Sequence, residues 1–324
     1  MPNMALARAP LGRYGAPVGV RARTTMVLLL CLPLTLFACG GQASDPVTSV
    51  LDDDAITIGS FNFPESEVLA EIYAQTLEAR GFRVQREFNV GPRELLIPAL
   101  QRGLVELVPE YAGSLLGFFG VTASSDATTT HQELTVALDP RGLTALGAAP
   151  AEDRNSFAIS GTTAANLSVE RLSDLTSFAP GMTFGGPAEC EQRPLCLKGL
   201  EDVYGLHFKE YIALDAGGPL TAQALNDGTI DIGLLFSSDP ALRAGGLIDL
   251  RDDRNLQPSE NVTPVVSQRA LETFGPQVAD ALNAVSALLR TSDLRELNAA
   301  MAGGATAADV AREWLRSNGV QVPG

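Results

Sequence analysis

Apolar residues gather along this chain in short blocks, punctuated by glycine, proline and acidic residues, and the blocks alternate between two periods. Ile56-Thr57-Ile58-Gly59-Ser60 has the length and β-branched content of a buried strand. Pro64 suits the first position of a helix, and Glu65 and Glu67 suit its positive end. Val68, Leu69, Ile72, Thr76 and Leu77 then recur with helical spacing as far as Gly81, which can stop the helix. Phe82 to Phe88 reads as a second strand, Pro92 to Arg102 as a second helix and Leu104 to Pro109 as a third strand. The order β-α-β-α-β predicts an α/β fold with a mostly parallel sheet covered by helices.

A second α/β series begins near Gly181. Met182 to Phe184 is strand-like, Leu197 to Val203 helical, Phe208 to Leu214 strand-like, Leu220 to Asn226 helical and Ile230 to Phe236 an apolar strand. The tail from Gly275 to Asn318 is helical by pattern, interrupted near Thr291-Ser292 and Gly303-Gly304, with Trp314 and Leu315 as packing residues. Asn155 to Ser160 and Asn261 to Ser267 are extended and apolar at their centres. They are expected to cross between two lobes, which makes the first lobe discontinuous, residues 55–157 plus 263–324, and the second residues 158–262. No internal repeat is evident in the sequence.

The region before these lobes is of another kind. Residues 1–38 carry Arg8, Arg13, Arg21 and Arg23 and no acidic residue, and Met26 to Phe37 is apolar but too short to span a bilayer. A basic start, a short apolar core and a small residue before the cut is the layout of a signal peptide. Leu36-Phe37-Ala38-Cys39 resembles the bacterial lipobox, in which the cysteine is acylated and becomes the new N-terminus; Phe37 is bulkier than the residue usual there. The alternative is an ordinary secretory cut near Ala38 that leaves Cys39 a plain thiol. Residues 39–54, with Gly, Ser, Pro and Asp52-Asp53-Asp54, read as a flexible tether.

Charge narrows the partners. Without the four leader arginines, 19 of the 23 basic residues remain against 38 acidic ones, a net charge of −19. That disfavours nucleic acid. Of the four cysteines, Cys31 leaves with the leader and Cys39 takes the lipid. Cys190 and Cys196 remain as a pair in an oxidising compartment, and a short-loop disulfide is the simplest reading. Neither His131 nor His207 stands near them with zinc-type spacing. No Gly-x-Ser-x-Gly elbow, Walker loop or His-Glu-x-x-His pair is present, so catalysis is not expected. No metal or organic cofactor is implied.

Several blocks, in order along the chain, carry a resemblance. They are Ile58-Gly59-Ser60-Phe61-Asn62-Phe63-Pro64-Glu65, Leu107-Val108-Pro109-Glu110-Tyr111-Ala112-Gly113-Ser114-Leu115, Gly199-Leu200-Glu201-Asp202-Val203-Tyr204-Gly205-Leu206, Leu214-Asp215-Ala216-Gly217, and Ala224-Leu225-Asn226-Asp227-Gly228-Thr229-Ile230-Asp231 running on to Phe236-Ser237-Ser238-Asp239. Together they resemble the substrate-binding proteins of ABC transporters for glycine betaine, choline, carnitine and related osmoprotectants. The resemblance implies a two-lobed periplasmic-binding-protein fold, type II-like, with two crossing hinge strands and a ligand cleft between the lobes. It also implies a monomer on the outer face of the cytoplasmic membrane, held to the bilayer through acylated Cys39, that delivers a small ligand to the permease subunits.

A quaternary ammonium has no N–H to donate, so such proteins surround it with aromatic faces, and a ligand carboxylate calls for Arg or backbone N–H donors. By motif position, Tyr111 and Phe157 match cage tyrosines of the family, Ser114 a ligand-contacting threonine, and Arg193 lies near a carboxylate-holding arginine. Asn62 and Phe63 after the first strand, and Phe236, Ser237 and Asp239 after a second-lobe strand, are expected to face the cleft, because open α/β sheets bind ligands beyond their strands' C-terminal ends. Any one phenylalanine could equally be core, and Arg193 a surface ion pair; Glu110 reads as structural. Where relatives carry an aromatic after the Asp-Ala-Gly turn, this chain has Gly217-Gly218-Pro219-Leu220-Thr221. The expected cage is therefore thin: Tyr111 with Phe61, Phe63, Phe157 or Phe236. Another small zwitterion such as ergothioneine or an amino-acid derivative, or a role as a ligand-sensing lipoprotein, are the competing readings.

Overall fold

The structure is a computed structural model and describes residues 54–322 apart from residues 216, 244 and 245. The expected signal peptide, Cys39 and the tether as far as residue 53 lie outside the described residues. Among the described residues, no helix is long and apolar enough to cross a membrane.

The chain first runs β1 (Ile56–Gly59), α1 (Pro64–Glu78), β2 (Val84–Glu87), α2 (Arg93–Gln101), β3 (Leu107–Tyr111), α3 (Ala112–Phe118), α4 (Ala127–Leu138) and β4 (Leu143–Ala145). It then builds β5 (Asn155–Ser160), α5 (Gly161–Leu167), β6 (Thr183–Gly186), α6 (Leu197–Gly199), β7 (Glu210–Ala213), α7 (Pro219–Asp227), β8 (Ile232–Phe236) and β9 (Leu247–Asp249). It returns as β10 (Val262–Ser267), α8 (Gln268–Phe274), α9 (Gln277–Ser286), α10 (Thr291–Ala302) and α11 (Ala307–Ser317).

Two five-stranded sheets result, ordered β2-β1-β3-β10-β4 and β7-β6-β8-β5-β9. In the first, β1 is parallel to β2 and β3, while β10 runs antiparallel to β3 and β4. In the second, β6 is parallel to β7 and β8, while β5 runs antiparallel to β8 and β9. The two sheets thus share one plan, a repeat of architecture that the sequence does not display.

Helix α1 starts as its residues dictate, with Pro64 in the first turn beside Glu65 and Glu67. It is buried along most of its length because α9, α10 and α11 cover the face turned away from the sheet. Tyr73 and Ser286 hydroxyls meet at 3.0 Å there, and Gln75 Nε2 donates to the Ala308 carbonyl at 2.8 Å. Trp314 and Leu315 pack into the same core.

One expectation is corrected. Asn155–Ser160 and Asn261–Ser267 do not themselves cross between lobes. β5 lies wholly in the second sheet, from Asn155 opposite Phe236 to Ile159 opposite Ile232, and β10 lies wholly in the first, hydrogen-bonded on both sides. An apolar strand saturated on both edges is a central strand, not a connector. The crossings are the more polar stretches 146–154 and 250–261, and Asn155, Ser156 and Phe157 belong to the second lobe. The two crossings run side by side: Glu152 and Asn261 form an antiparallel bridge, Asp153 N donates to the Glu260 carbonyl at 3.1 Å, and Val262 N to that of Ala151 at 2.9 Å.

The apolar interior is divided in the same way. One cluster of buried side chains fills the first lobe, and two others pack within the second. None of these clusters spans both lobes.

Cys190 and Cys196 are joined in a disulfide with Cα atoms 5.2 Å apart, and both are buried in the second-lobe core. Closing so short a loop restricts the unfolded chain, worth about 2 kcal/mol in the chain-entropy account. A Cys190→Ser/Cys196→Ser variant is expected to lose about that much unfolding free energy in urea titrations. Reductant should destabilise the parent protein similarly and leave the variant unmoved.

Candidate functional site

The parallel strands of both sheets end at a shared gap, where loops leave the strands and backbone donors are unsatisfied. Beyond β1, Phe61 is buried and its ring stacks on that of Phe63, centroids 5.7 Å apart and planes within 5°. Phe63 in turn lies 6.2 Å from the Tyr111 ring at the end of β3. Beneath this pile the Arg93 guanidinium sits 5.2 Å from the Phe61 centroid and pairs with Glu110 at 2.9 Å. Glu110 is fully buried and also accepts the Tyr111 backbone N–H at 3.0 Å, so it fixes the strand end that carries the tyrosine. Burial raises its pKa, while Arg93 pulls the other way.

Tyr111 Oη donates to Glu65 Oε1 at 2.6 Å. Burial first, then the Glu65 charge, drives the phenol pKa well up, so this hydroxyl stays a donor. Glu65 Oε2 accepts from Asn298 Nδ2 at 2.6 Å, and the same amide donates to the Ser238 carbonyl of the second lobe at 3.1 Å. Nearby, Arg295 Nε donates to the Ser237 carbonyl at 2.7 Å. Helix α10 of the first lobe is thus hydrogen-bonded to the end of β8.

On the second lobe, Phe236 ends β8. Gly217 has φ +64°, and a Cβ there would stand 2.7 Å from the Phe236 ring, so glycine serves both the turn and the seating of that ring. The crossings add carboxylates. Glu260 accepts from Ser114 N at 2.9 Å and Ser114 Oγ at 2.8 Å. Gly113 allows this approach, since a Cβ on it would meet the Ser259 carbonyl at 2.7 Å. Asp153 accepts from Ser238 Oγ at 2.8 Å. Burial pushes the Glu260 carboxyl up to about 7. It also pushes Asp153 well above the usual carboxylate range, with the Glu65 charge adding to the rise. Asp239, which accepts the Ala241 N–H at 2.7 Å, is raised by burial as well.

These groups surround one cavity of about 730 Å³. Phe63, Glu65, Tyr111 and Ser114 line it from the first lobe, Phe236 and Asp239 from the second, and Asp153, Arg154 and Glu260 from the crossings. Aromatic faces and carboxylates together favour a cation with an alkylated, weakly hydrated surface.

Five residues named from the sequence meet here: Phe63, Tyr111, Ser114, Phe236 and Asp239. Four do not. Asn62 is exposed and outside the lining. Phe157 is 1% exposed in the second-lobe core, 6.1 Å from the Phe184 ring, because the middle of the central strand β5 is covered on both faces. Ser237 is buried behind the wall, where its Oγ donates to the Glu152 carbonyl at 3.1 Å and accepts the Arg154 N–H at 3.0 Å, pinning a crossing to β8. Arg193 is exposed in the disulfide loop, which turns Leu195 to the cavity instead. Sequence reasoning missed Glu65, Asp153, Glu260 and Asn298. Glu65 has a local explanation in the helix dipole, and the others sit in polar stretches that read as surface.

Residues 54–317 match the family described as the substrate binding domain of ABC-type glycine betaine transport system. The glycine betaine-binding protein YehZ of Escherichia coli (strain K12) is 28% identical over 308 residues, covering 91% of this chain and 96% of that protein. A glycine-betaine-binding protein of Pseudomonas aeruginosa is 27% identical over 286 residues, covering 85% of this chain and 88% of that one. The solved structure of apo YehZ from Escherichia coli superposes with a TM-score of 0.71 at 25% identity, covering 82% of this chain and 99% of that chain. These relatives are binding proteins of transport systems, not enzymes. With two matching lobes around one cleft and a family match over nearly all the described residues, the chain belongs to the family of substrate-binding domains of ABC-type glycine betaine transport systems.

Proposed function

We propose that this protein is the lipid-anchored solute receptor of an ABC importer on the outer face of the cytoplasmic membrane, and that it binds a quaternary ammonium compound between its lobes. The observation that carries the reading is the cavity itself, where rings from both lobes, Phe63 and Tyr111 against Phe236, face a shared space bordered by carboxylates. Each close ring contact with a cation contributes about 0.5–2 kcal/mol. Micromolar affinity corresponds to about −8 kcal/mol, so three rings need help from nearby carboxylates and from exclusion of water. Lobes with separate cores, joined by two strips of chain and a few hydrogen bonds, can rotate toward each other, and a ligand touching both favours the closed form by that differential contact. The closed form is what the permease would receive. Acylation of the Cys39 thiol would keep the receptor beside it, since two or more acyl chains give a stable anchor.

Calorimetric titration of the mature protein with quaternary ammonium compounds is expected to show saturable binding. Phe63→Ala, at a partly exposed ring, should weaken it severalfold without affecting stability, and Tyr111→Ala should weaken it tenfold or more. Unchanged affinity in folded variants of both would remove the aromatic site from consideration.

The carboxylates make apo stability depend on pH in a definite sense. Glu260 ionises near 4.5 in an unfolded chain and near 7 in the folded one, burial outweighing Ser114 and Arg93, with the Glu110 charge adding to the rise. Between those values the folded state holds a proton the unfolded chain has lost, so stability from this group falls as pH rises through the window. The apo protein should melt at a higher temperature at pH 5 than at pH 7.5, and Glu260→Gln should shrink the difference. A bound cation should restore more stability at pH 7.5 than at pH 5.

For the anchor, cells fed an alkyne fatty acid should yield labelled protein in the membrane fraction. Cys39→Ala should abolish the label; label that survives the substitution would count against acylation at Cys39.

A further inference from the structure

Resting on the quaternary-ammonium reading above, the polar lining of the cleft bears on what a ligand can carry opposite its ammonium head. A ligand carboxylate needs a guanidinium, an ammonium or a set of backbone N–H groups. Among the described residues lining the cavity, Arg154 is the one cationic side chain. Its nitrogens already serve the protein: Nε donates to Glu152 Oε1 at 3.3 Å, Nη1 to the Asn155 carbonyl at 3.0 Å and Nη2 to Asp249 Oδ2 at 3.3 Å.

Backbone donors around the cavity are engaged in the same way, each by one of the protein's own carboxylates. Near the start of α3, Glu260 takes the Ser114 N–H. At the start of α7, Asp215 takes the N–H groups of Leu220 and Thr221, both at 2.9 Å. After β8, Asp239 takes that of Ala241. Burial works against the Asp215 carboxylate, but its hydrogen bonds from Thr221 and Leu220 hold it below the usual range, so it remains charged at that helix end. The positive ends of the local dipoles are therefore neutralised from within.

What remains exposed to a ligand is acidic: Glu65, Asp153, Asp239 and Glu260 all border the space. A carboxylate entering it would lose its hydration next to like charges without gaining a partner. A hydroxyl in the same place could donate to any of these oxygens.

We propose that the cleft selects a net cation whose tail is an uncharged hydrogen-bond donor, the choline class, over zwitterions that carry a carboxylate, the betaine and carnitine class. Glycine betaine and choline share the trimethylammonium head and differ at the tail, which isolates the question. Titrated separately into the mature protein at pH 7.5, choline is expected to bind at least tenfold more tightly than glycine betaine. Glu260→Gln should narrow that ratio tenfold or more, because it removes one repelling charge while keeping an acceptor for Ser114. Glycine betaine binding as well as or better than choline overturns the proposal and leaves the receptor reading standing. An unchanged ratio in folded Glu260→Gln overturns the assigned cause of selectivity. Failure of both compounds to bind overturns the receptor reading and this proposal with it.

Discussion

Everything in this molecule depends on the two apolar interiors staying apart. The first-lobe cluster ends against its own sheet and helices, and the second-lobe clusters end against theirs. Hydrophobic burial resists rearrangement because packed cores give up dispersion and transfer energy when they separate. By keeping that energy inside each lobe, the fold leaves the junction to directional bonds. Asn298 and Arg295 hold carbonyls at the end of β8, and Ser237 ties a crossing to it. Such bonds can be exchanged for others at small net cost, which is what a cleft that opens and closes requires.

The same division explains why acids collect at the cleft. A loop that leaves the carboxyl end of a strand brings backbone N–H groups with it, and a helix that begins there adds its dipole. Glu260, Asp215 and Asp239 answer that demand at three separate places. Capping the first turns of the lobes from within has an electrostatic by-product: the surface left over is negative. Glu110 shows the contrast, since the same kind of group beneath the aromatic pile has Arg93 for a partner and is closed off from the cavity.

Much of this was legible in the chain. The alternation of strand-length and helix-length blocks from Ile56 to Tyr111 gave the first half-sheet, and the strand-end rule led to Phe63, Tyr111, Phe236 and Asp239. The rule failed where position along a strand matters more than composition. Phe157 sits mid-strand in β5, and an apolar strand covered on both faces reads the same as one ending at a cleft. The short helices α5 and α8 were obscured because each begins directly where a strand ends, capped by Ser160 or Ser267, so the two periods run together. Asp153 and Glu260 could not be found by pattern: their burial comes from two chain segments pairing across many intervening residues, and each segment alone looks solvated.

The shared plan of the sheets bears on how the chain assembles. All strands of the second sheet come from one continuous stretch, β5 to β9, so that lobe can complete itself once the chain has reached Asp249. The first sheet cannot. Its β10 fits between β3 and β4, and it is made only after the whole second lobe. Until then β3 and β4 present unpaired edges, the kind of surface through which chains associate wrongly. Pairing across so long an interval is also slow. The lobe that starts first therefore finishes last, and the strand that closes it marks the step at which a newly exported chain passes from vulnerable to complete.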